Sequence, residues 1–340
     1  MVDESILITK RDELKEKINK DKSIKKDSFD NLNSEYPNMV TKKYVTLFFS
    51  FDIVNSTQYK TIALQNSINI IREIFREIET LMDENIQIMQ YWRTIGDEII
   101  FYLEVYKMEE ILESIEIVFA ILNRVRKDIL NEKIKLNCFD TNYRYKYPEL
   151  ISLKATAWLA IVSENDREAQ NVKYKVGYMT NDKRLEFQGY DIDIGFRVAE
   201  YTRNRRFALS FELAYLISKY ERYKDNLKFI GYRKMKGVWN QRKYPIIWYH
   251  NKHLKKLKDE ENLDDNDFIL EDFNKSFFYD EEEFCELTKE YISLNQEVVD
   301  EKNSQEITHL LDKICQNLNL TKKIDEIYKT INEKNLLVEI

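Results

Sequence analysis

The chain has 340 residues, 43% of them hydrophobic, enough for one large domain or two modest ones around a sizeable core. Lys and Arg number 53 against 60 Asp and Glu, and this net charge of −7 argues against bulk attraction to nucleic acid or an anionic membrane. Cys138, Cys285 and Cys315 are far apart with no CxxC pair, and His250, His253 and His309 all come late, so a disulfide framework, a zinc site and His-based triads are left without support.

The charged first ten residues, and the lack of an apolar run near the roughly 20 residues a membrane helix needs, predict a cytoplasmic protein with no membrane partner. Glycine is scarce, six in 340 and all between 96 and 237, so each is expected to answer a backbone demand.

In chain order, residues 1–43 are rich in Lys and acids with weak helical spacing, and read as an N-terminal helical arm closed by Pro37. Residues 44–54 (YVTLFFSFDIV) form a near-continuous β-branched and aromatic run, the pattern of a strand buried on both faces, with Asp52 near its end. Asn55, Ser56 and Thr57 cap an amphipathic helix running to about residue 83. Residues 86–92 and 97–103 predict two strands joined by a tight turn, Arg93-Thr94-Ile95-Gly96. A helix over 108–130, a polar loop over 131–150 and a strand over 151–163 follow.

Residues 164–188 are charged and hairpin-like. A helix at 189–201, a short strand at 207–209, a helix at 211–220 and strands near 228–236 and 244–249 come next. The order strand, helix, hairpin, helix, strand predicts an α+β fold on a ferredoxin-like βαββαβ core with added strands. Residues 259–290 hold 14 acids and two Lys, a local charge of −12 that leaves +5 on the rest. Helical spacing returns from Ile307 to Ile331, so 251–340 reads as an acidic linker with a helical C-terminal appendix behind a central domain at 44–250.

Two acids mark the candidate site: Asp52, at the end of a buried strand, and Asp97, just after Gly96. If the first strand neighbours the hairpin, as the core topology requires, both carboxylates meet at one sheet edge, where a hard cation such as Mg²⁺ finds carboxylate, carbonyl and phosphate oxygens. The alternative is a helix-cap neighbour and an ordinary turn acid beside Glu98. A carboxylate inside FFSFDIV is expensive to desolvate without a partner, which favours the metal.

FFSFDIVNST followed by RTIGDEIIFYL resembles the metal-binding strand and hairpin of class III nucleotidyl cyclases, and GYDIDIGFRVAEY resembles the cyclase helix that supplies a transition-state Asn and Arg. The GxDIDxGFR form, with KGVWNQRKYPIIWY, most resembles the pyrimidine cyclases of bacterial Pycsar antiphage systems, and the likeness spans about residues 44–250. It implies a catalytic domain that converts UTP, or CTP, to a 3′,5′-cyclic monophosphate and pyrophosphate, as a signal for a separate effector in phage defence. It also implies a head-to-tail homodimer with its active sites between subunits.

On the same resemblance, two Mg²⁺ or Mn²⁺ ions per site are held by Asp52, Asp97 and the Ile53 carbonyl. Backbone N–H groups from Val54 through Asn55, Ser56 and Thr57 suit the triphosphate at a helix start. Asp193 stands at the Asn position, a departure from the general pattern, and Arg197 stands at the Arg position, facing charge on the α-phosphate. The alternative for Asp193 and Arg197 is an i, i+4 surface salt bridge.

Arg93 and Glu186 take the base-reading positions, their donors and acceptors fitting uracil or cytosine edges, and Tyr59 narrows the pocket against purines. Turn solvation and helix packing are the alternatives for these three. Lys236 or Arg233 replaces the family's usual phosphate-binding Lys, with Arg203, Arg205, Arg206 and Lys234 nearby, unless this is a solvated face. The competing functions are a cytidylate cyclase, a purine cyclase and a non-catalytic nucleotide or nucleic-acid sensor.

Overall fold

The central strand β1 (Lys43–Val54) is buried on both faces, as its composition predicts. In the computed structural model its side chains Val45, Leu47, Phe49, Phe51 and Ile53 enter one core, while Phe48 enters an aromatic cluster on the opposite face. The structure describes residues 42–63, 67–134, 150–163, 167–171, 174–175, 178–179, 183–202, 204, 206–251, 255, 257–258 and 304–338. Residues 1–41 of the predicted N-terminal arm, Cys138, Cys285, Arg203, Arg205 and the acidic segment lie outside the described residues, and Lys43 already belongs to β1.

After β1 come α1 (Ser56–Ala63), α2 (Ser67–Asn85), β2 (Gln90–Ile95), β3 (Glu98–Val105), α3 (Met108–Leu130) and β4 (Ser152–Ser163). These four strands stand in the order β4-β1-β3-β2, each antiparallel to its neighbour, which is the ferredoxin-like βαββαβ arrangement. Ile70, Ile74 and Ile78 of α2 and Ile111, Ile115, Val118 and Leu122 of α3 fill the first core, each at helical spacing.

The chain continues with β5 (Arg167–Asn171) paired to β8 (Lys183–Phe187), and β6 (Tyr174–Lys175) paired to β7 (Tyr178–Met179), an antiparallel region like the hairpin expected there. Then follow α4 (Tyr190–Glu200), β9 (Phe207–Leu209), α5 (Phe211–Ile217), α6 (Glu221–Lys224), β10 (Leu227–Lys234) and β11 (Lys243–Tyr249). β9 joins β4 in parallel and β11 and β10 extend the sheet to seven strands. The architecture is α+β, and among the described residues no helix is long and apolar enough to cross a membrane.

One sequence expectation differs from the structure. The first hairpin strand begins at Gln90, not 86, because Ile86 and Met89 continue the helix end as turns (Ile86 N–H to Met82 O 2.8 Å, Met89 N–H to Ile86 O 2.9 Å) and sink into the core. The strand then runs through Arg93 to Ile95, and the reversal is confined to Gly96, with φ 64°, and Asp97.

At the C-terminus, residues 304–338 are helical as expected, α7 (Ser304–Asn317) and α8 (Thr321–Val338). Leu311, Ile314, Cys315, Ile324, Ile327 and Ile331 join the same core as β1. Amphipathic spacing shows that a face is buried, not what buries it.

α4 covers the aromatic face of the sheet along β4. Near its start, Asp191 Oδ2 accepts the Ile161 N–H at 3.2 Å, and past its end the Thr202 and Thr156 hydroxyls meet at 2.8 Å, so the helix runs antiparallel to the strand. Lys323 of α8 reaches the other Asp191 oxygen at 2.6 Å and Glu212 of α5 at 2.7 Å. Burial works against that ammonium, but the two carboxylates outweigh it and raise its pKa.

α4 sits this close because of Gly195, where an added Cβ would lie 2.2 Å from the Trp158 ring. Gly195→Ala is therefore expected to push α4 off β4 and to destabilise the protein by about 1–3 kcal/mol, the usual cost of overpacking. Denaturant unfolding measures it, and an unchanged midpoint contradicts the close approach.

Candidate active site

In antiparallel pairs, directly opposed residues share a face of the sheet. Asp52 of β1 lies opposite Glu98 of β3 on one side and Lys154 of β4 on the other, so one row across three strands carries acid, acid and base. The rows behind it are Ile100, Ser50 and Thr156, then Tyr102, Phe48 and Trp158. This face therefore grades from aromatic to charged toward the edge of the sheet, on the side covered by α4.

Asp97 is brought to the same edge by the hairpin. Its carbonyl accepts the Ile53 N–H at 3.0 Å, and its carboxylate Oδ2 accepts the hydroxyl of buried Ser56, at the first position of α1. Asp52 Oδ2 lies 2.9 Å from Lys154 Nζ.

Burial is the largest influence on Asp52 and raises its pKa, opposed by the charge and hydrogen bond of Lys154 and reinforced by Asp97. Glu98 is pushed up to about 7, first by burial, against a hydrogen bond from Ser50, and then by the charge of Asp52. Its Oε1 is buried with no hydrogen-bond partner among the described residues.

These couplings put three carboxyl groups in one electrostatic neighbourhood with Lys154 as the cation facing Asp52. Such an acid excess fits a hard divalent cation. Among the described residues no group of three or more His, Cys, Asp or Glu side chains closes around a metal. A two-carboxylate edge would leave its other coordination positions to carbonyl, water and substrate oxygens.

The turn into α1 offers a second polar feature. Asn55 is exposed with φ 61°, and Thr57 is exposed beside it at the helix N-terminus, the geometry in which successive backbone N–H groups suit phosphate oxygens. Tyr59 is 0% exposed and packs in the first core, so it occupies a core position and not a pocket wall.

Arg93 and Glu186 do come together, Nη1 to Oε2 3.3 Å. The cause is local: the register between β2 and β3 shifts between Tyr91 and Arg93, a bulge that turns Trp92 and Arg93 toward the same face. The guanidinium lies 4.1 Å from the Trp92 ring centre, and the Trp92 ring packs edge-on against Phe187, next to Glu186.

On α4, Asp193 is exposed, and Arg197 pairs with Glu200 at 2.6 Å instead of with Asp193, so the i, i+4 bridge is not formed. Lys236 is exposed, next to Gly237 with φ 78°, while Arg233 is buried beneath the Tyr201 ring and Arg206 beneath Trp248. Sequence reasoning missed Lys154 and treated Glu98 as an ordinary neighbour. A lone Lys within SLKATAWLAIVS carries the same signal that exposed Asp52, a charge in an apolar strand.

No family model and no curated protein matches the sequence. Among solved structures the chain is similar to the guanylate cyclase domain of RhGC from Catenaria anguillulae in complex with GTP, at 12% identity over 61% of this chain and 97% of that one, with a TM-score of 0.43. It is also similar to the adenylyl cyclase CyaB from P. aeruginosa, at 11% identity over 63% and 97%, with a TM-score of 0.42. A third is the catalytic core of a rhodopsin-guanylyl cyclase with converted specificity in complex with ATPalphaS, at 12% identity over 63% and 99%, with a TM-score of 0.44.

The raised Glu98 pKa sets a pH dependence. The folded state holds this proton more tightly than the unfolded chain, whose carboxyl titrates near 4.5. In chelator-treated protein, the contribution of this proton to stability is therefore fully present below about 4.5 and is lost as pH rises to about 7, with a slope approaching 1.4 kcal/mol per pH unit. Urea unfolding across this window should show that fall, and Glu98→Gln should flatten it.

Proposed function

We propose that this chain is a nucleotidyl cyclase that converts UTP to 3′,5′-cyclic UMP and pyrophosphate, at an edge formed by Asp52 and Asp97. The observation that supports the reading is the bond from the Ile53 N–H, one residue after Asp52, to the Asp97 carbonyl at 3.0 Å, which ties the end of β1 to the hairpin turn. Held there by Asp52, Asp97 and the Ile53 carbonyl, two Mg²⁺ or Mn²⁺ ions would supply Lewis acidity for the ribose 3′-OH and charge neutralisation for the triphosphate.

The chain's own part is to bind and orient. Asp97 is fixed by Ser56, so the turn through Asn55, Ser56 and Thr57, which presents N–H groups to β and γ oxygens, is tied to the carboxylate edge. Holding the 3′-OH in line with the α-phosphorus is the main catalytic demand of phosphoryl transfer.

Arg197 stabilises charge on the α-phosphate and Asp193 orients the ribose. Both lie on the outward side of α4, which suits action on the site of a second subunit in a head-to-tail homodimer. Arg93 and Glu186 read the pyrimidine edge: the guanidinium donates to a carbonyl oxygen and the carboxylate accepts N3–H. Lys236 is accessible to triphosphate oxygens. The uridine choice and a role as second messenger to a separate effector in phage defence follow the sequence resemblance.

Purified chain with Mn²⁺ and each of the four nucleoside triphosphates in turn is expected to make cyclic product from UTP. Product from CTP alone makes it a cytidylate cyclase, and product from ATP or GTP alone defeats the pyrimidine assignment. Asp97→Asn is expected to abolish turnover. A non-catalytic sensor would instead bind nucleotide or nucleic acid in that variant, and nucleic-acid binding would fall steeply with salt.

Arg197→Ala should lower turnover by roughly 10²-fold or more. Mixing it with Asp97→Asn should restore activity, because the heterodimer rebuilds one intact site. No recovery on mixing rules out a site shared between subunits.

A further inference from the structure

In the proposed function Asp52 receives a divalent cation, yet the chain already provides Asp52 with a cation of its own. Lys154 is directly across the β1–β4 ladder, and its Nζ stands 2.9 Å from Asp52 Oδ2, with the lysine side chain 18% exposed. The same Nζ stands 3.4 Å from the carbonyl of Ala199, in the last turn of α4. The ammonium is therefore suspended between a carboxylate and the negative end of a helix.

We infer that Lys154 is an exchangeable counter-ion, which neutralises Asp52 until a divalent cation binds and then withdraws to the carbonyl end of α4. Charge drives the exchange. An ammonium and a divalent ion on one carboxylate repel each other, and the repulsion is strengthened in a half-buried site, where the screening of bulk water is reduced.

The withdrawal has a destination because the last carbonyls of a helix lack intrahelical partners and carry partial negative charge. Lysine suits such an exchange, because a compact charge on a flexible stem changes partners more readily than the planar fork of arginine. Two consequences follow. Without metal, the ammonium balances the Asp52 carboxylate and keeps it in place; with metal, the ammonium moves against the helix that carries Asp193 and Arg197.

The inference rests on the two-acid metal reading, and a measurement without nucleotide separates the two. The free Mn²⁺ signal in electron paramagnetic resonance gives the Mn²⁺ affinity of the full chain and of Asp52→Asn, Lys154→Met, Lys154→Gln and Lys154→Arg. Lys154→Met is expected to bind Mn²⁺ roughly tenfold or more tightly than the unaltered chain, the effect of removing one positive charge a few Å from the cation. Lys154→Arg should stay at the unaltered affinity or below it.

Lys154→Gln keeps a hydrogen-bond donor for Asp52 without the charge, and serves the same test if Lys154→Met does not fold. Affinity in the neutral variants equal to or weaker than that of the unaltered chain overturns the inference, provided Asp52→Asn has lost binding. If the unaltered chain binds no Mn²⁺, or Asp52→Asn binds as well as it does, the metal reading falls and takes the inference with it.

Discussion

The site depends on one alignment, the row Glu98, Asp52 and Lys154 across β3, β1 and β4. Each residue is where it is because Val45, Leu47, Phe49, Phe51 and Ile53 claim the opposite face of β1 for the helix-packed core. A slip of one residue would drive Asp52 into that core and turn Ile53 toward α4, so the apolar alternation that folds the strand also enforces the placement of charge. Burial then makes the row costly. Glu98 is pushed up to about 7 chiefly by that burial, with the charges of Asp52 and Asp97 adding to it and Lys154 opposing.

The same face depends on how closely α4 approaches it. Gly195 against Trp158 removes the side chain that would keep helix and strand apart. The helix is also braced from far along the chain, because Lys323 of α8 joins Asp191 of α4 to Glu212 of α5. Buried charges of this kind are costly to separate, since removing one partner leaves the others desolvated and unmatched. The position of the helix that carries Asp193 and Arg197 is thus tied to the C-terminal helix as well as to the sheet.

The core strand order, α3 and most later elements were legible because their apolar periods are long and unbroken. Asp52 stood out because a carboxylate in an apolar run needs a partner, and Asp97 because a glycine turn preceded it. The meeting of Arg93 with Glu186 came to notice only through the family resemblance, since a bulge at Trp92 adds a residue to one strand and leaves no mark on a period-two pattern. The left-handed run Trp239, Asn240 and Gln241, with φ from 46° to 63°, contains no glycine to announce it. Tyr59 was misplaced for a different reason. A helix-start aromatic next to a polar turn suits either a pocket or a core, and only the packing of α1 decides.

Electrostatics join the two halves of the face. α4 runs antiparallel to β4, so its partial negative end comes to rest beside Lys154 while its start meets Ile161 and Lys323. With the opposite polarity, the positive end of the helix would face Lys154, and the ammonium would be repelled from the place where Asp52 needs it. The direction of a helix relative to a strand, fixed by the Asp191 contact at its start and the hydroxyl pair past its end, therefore decides whether the acidic row has a mobile counter-ion.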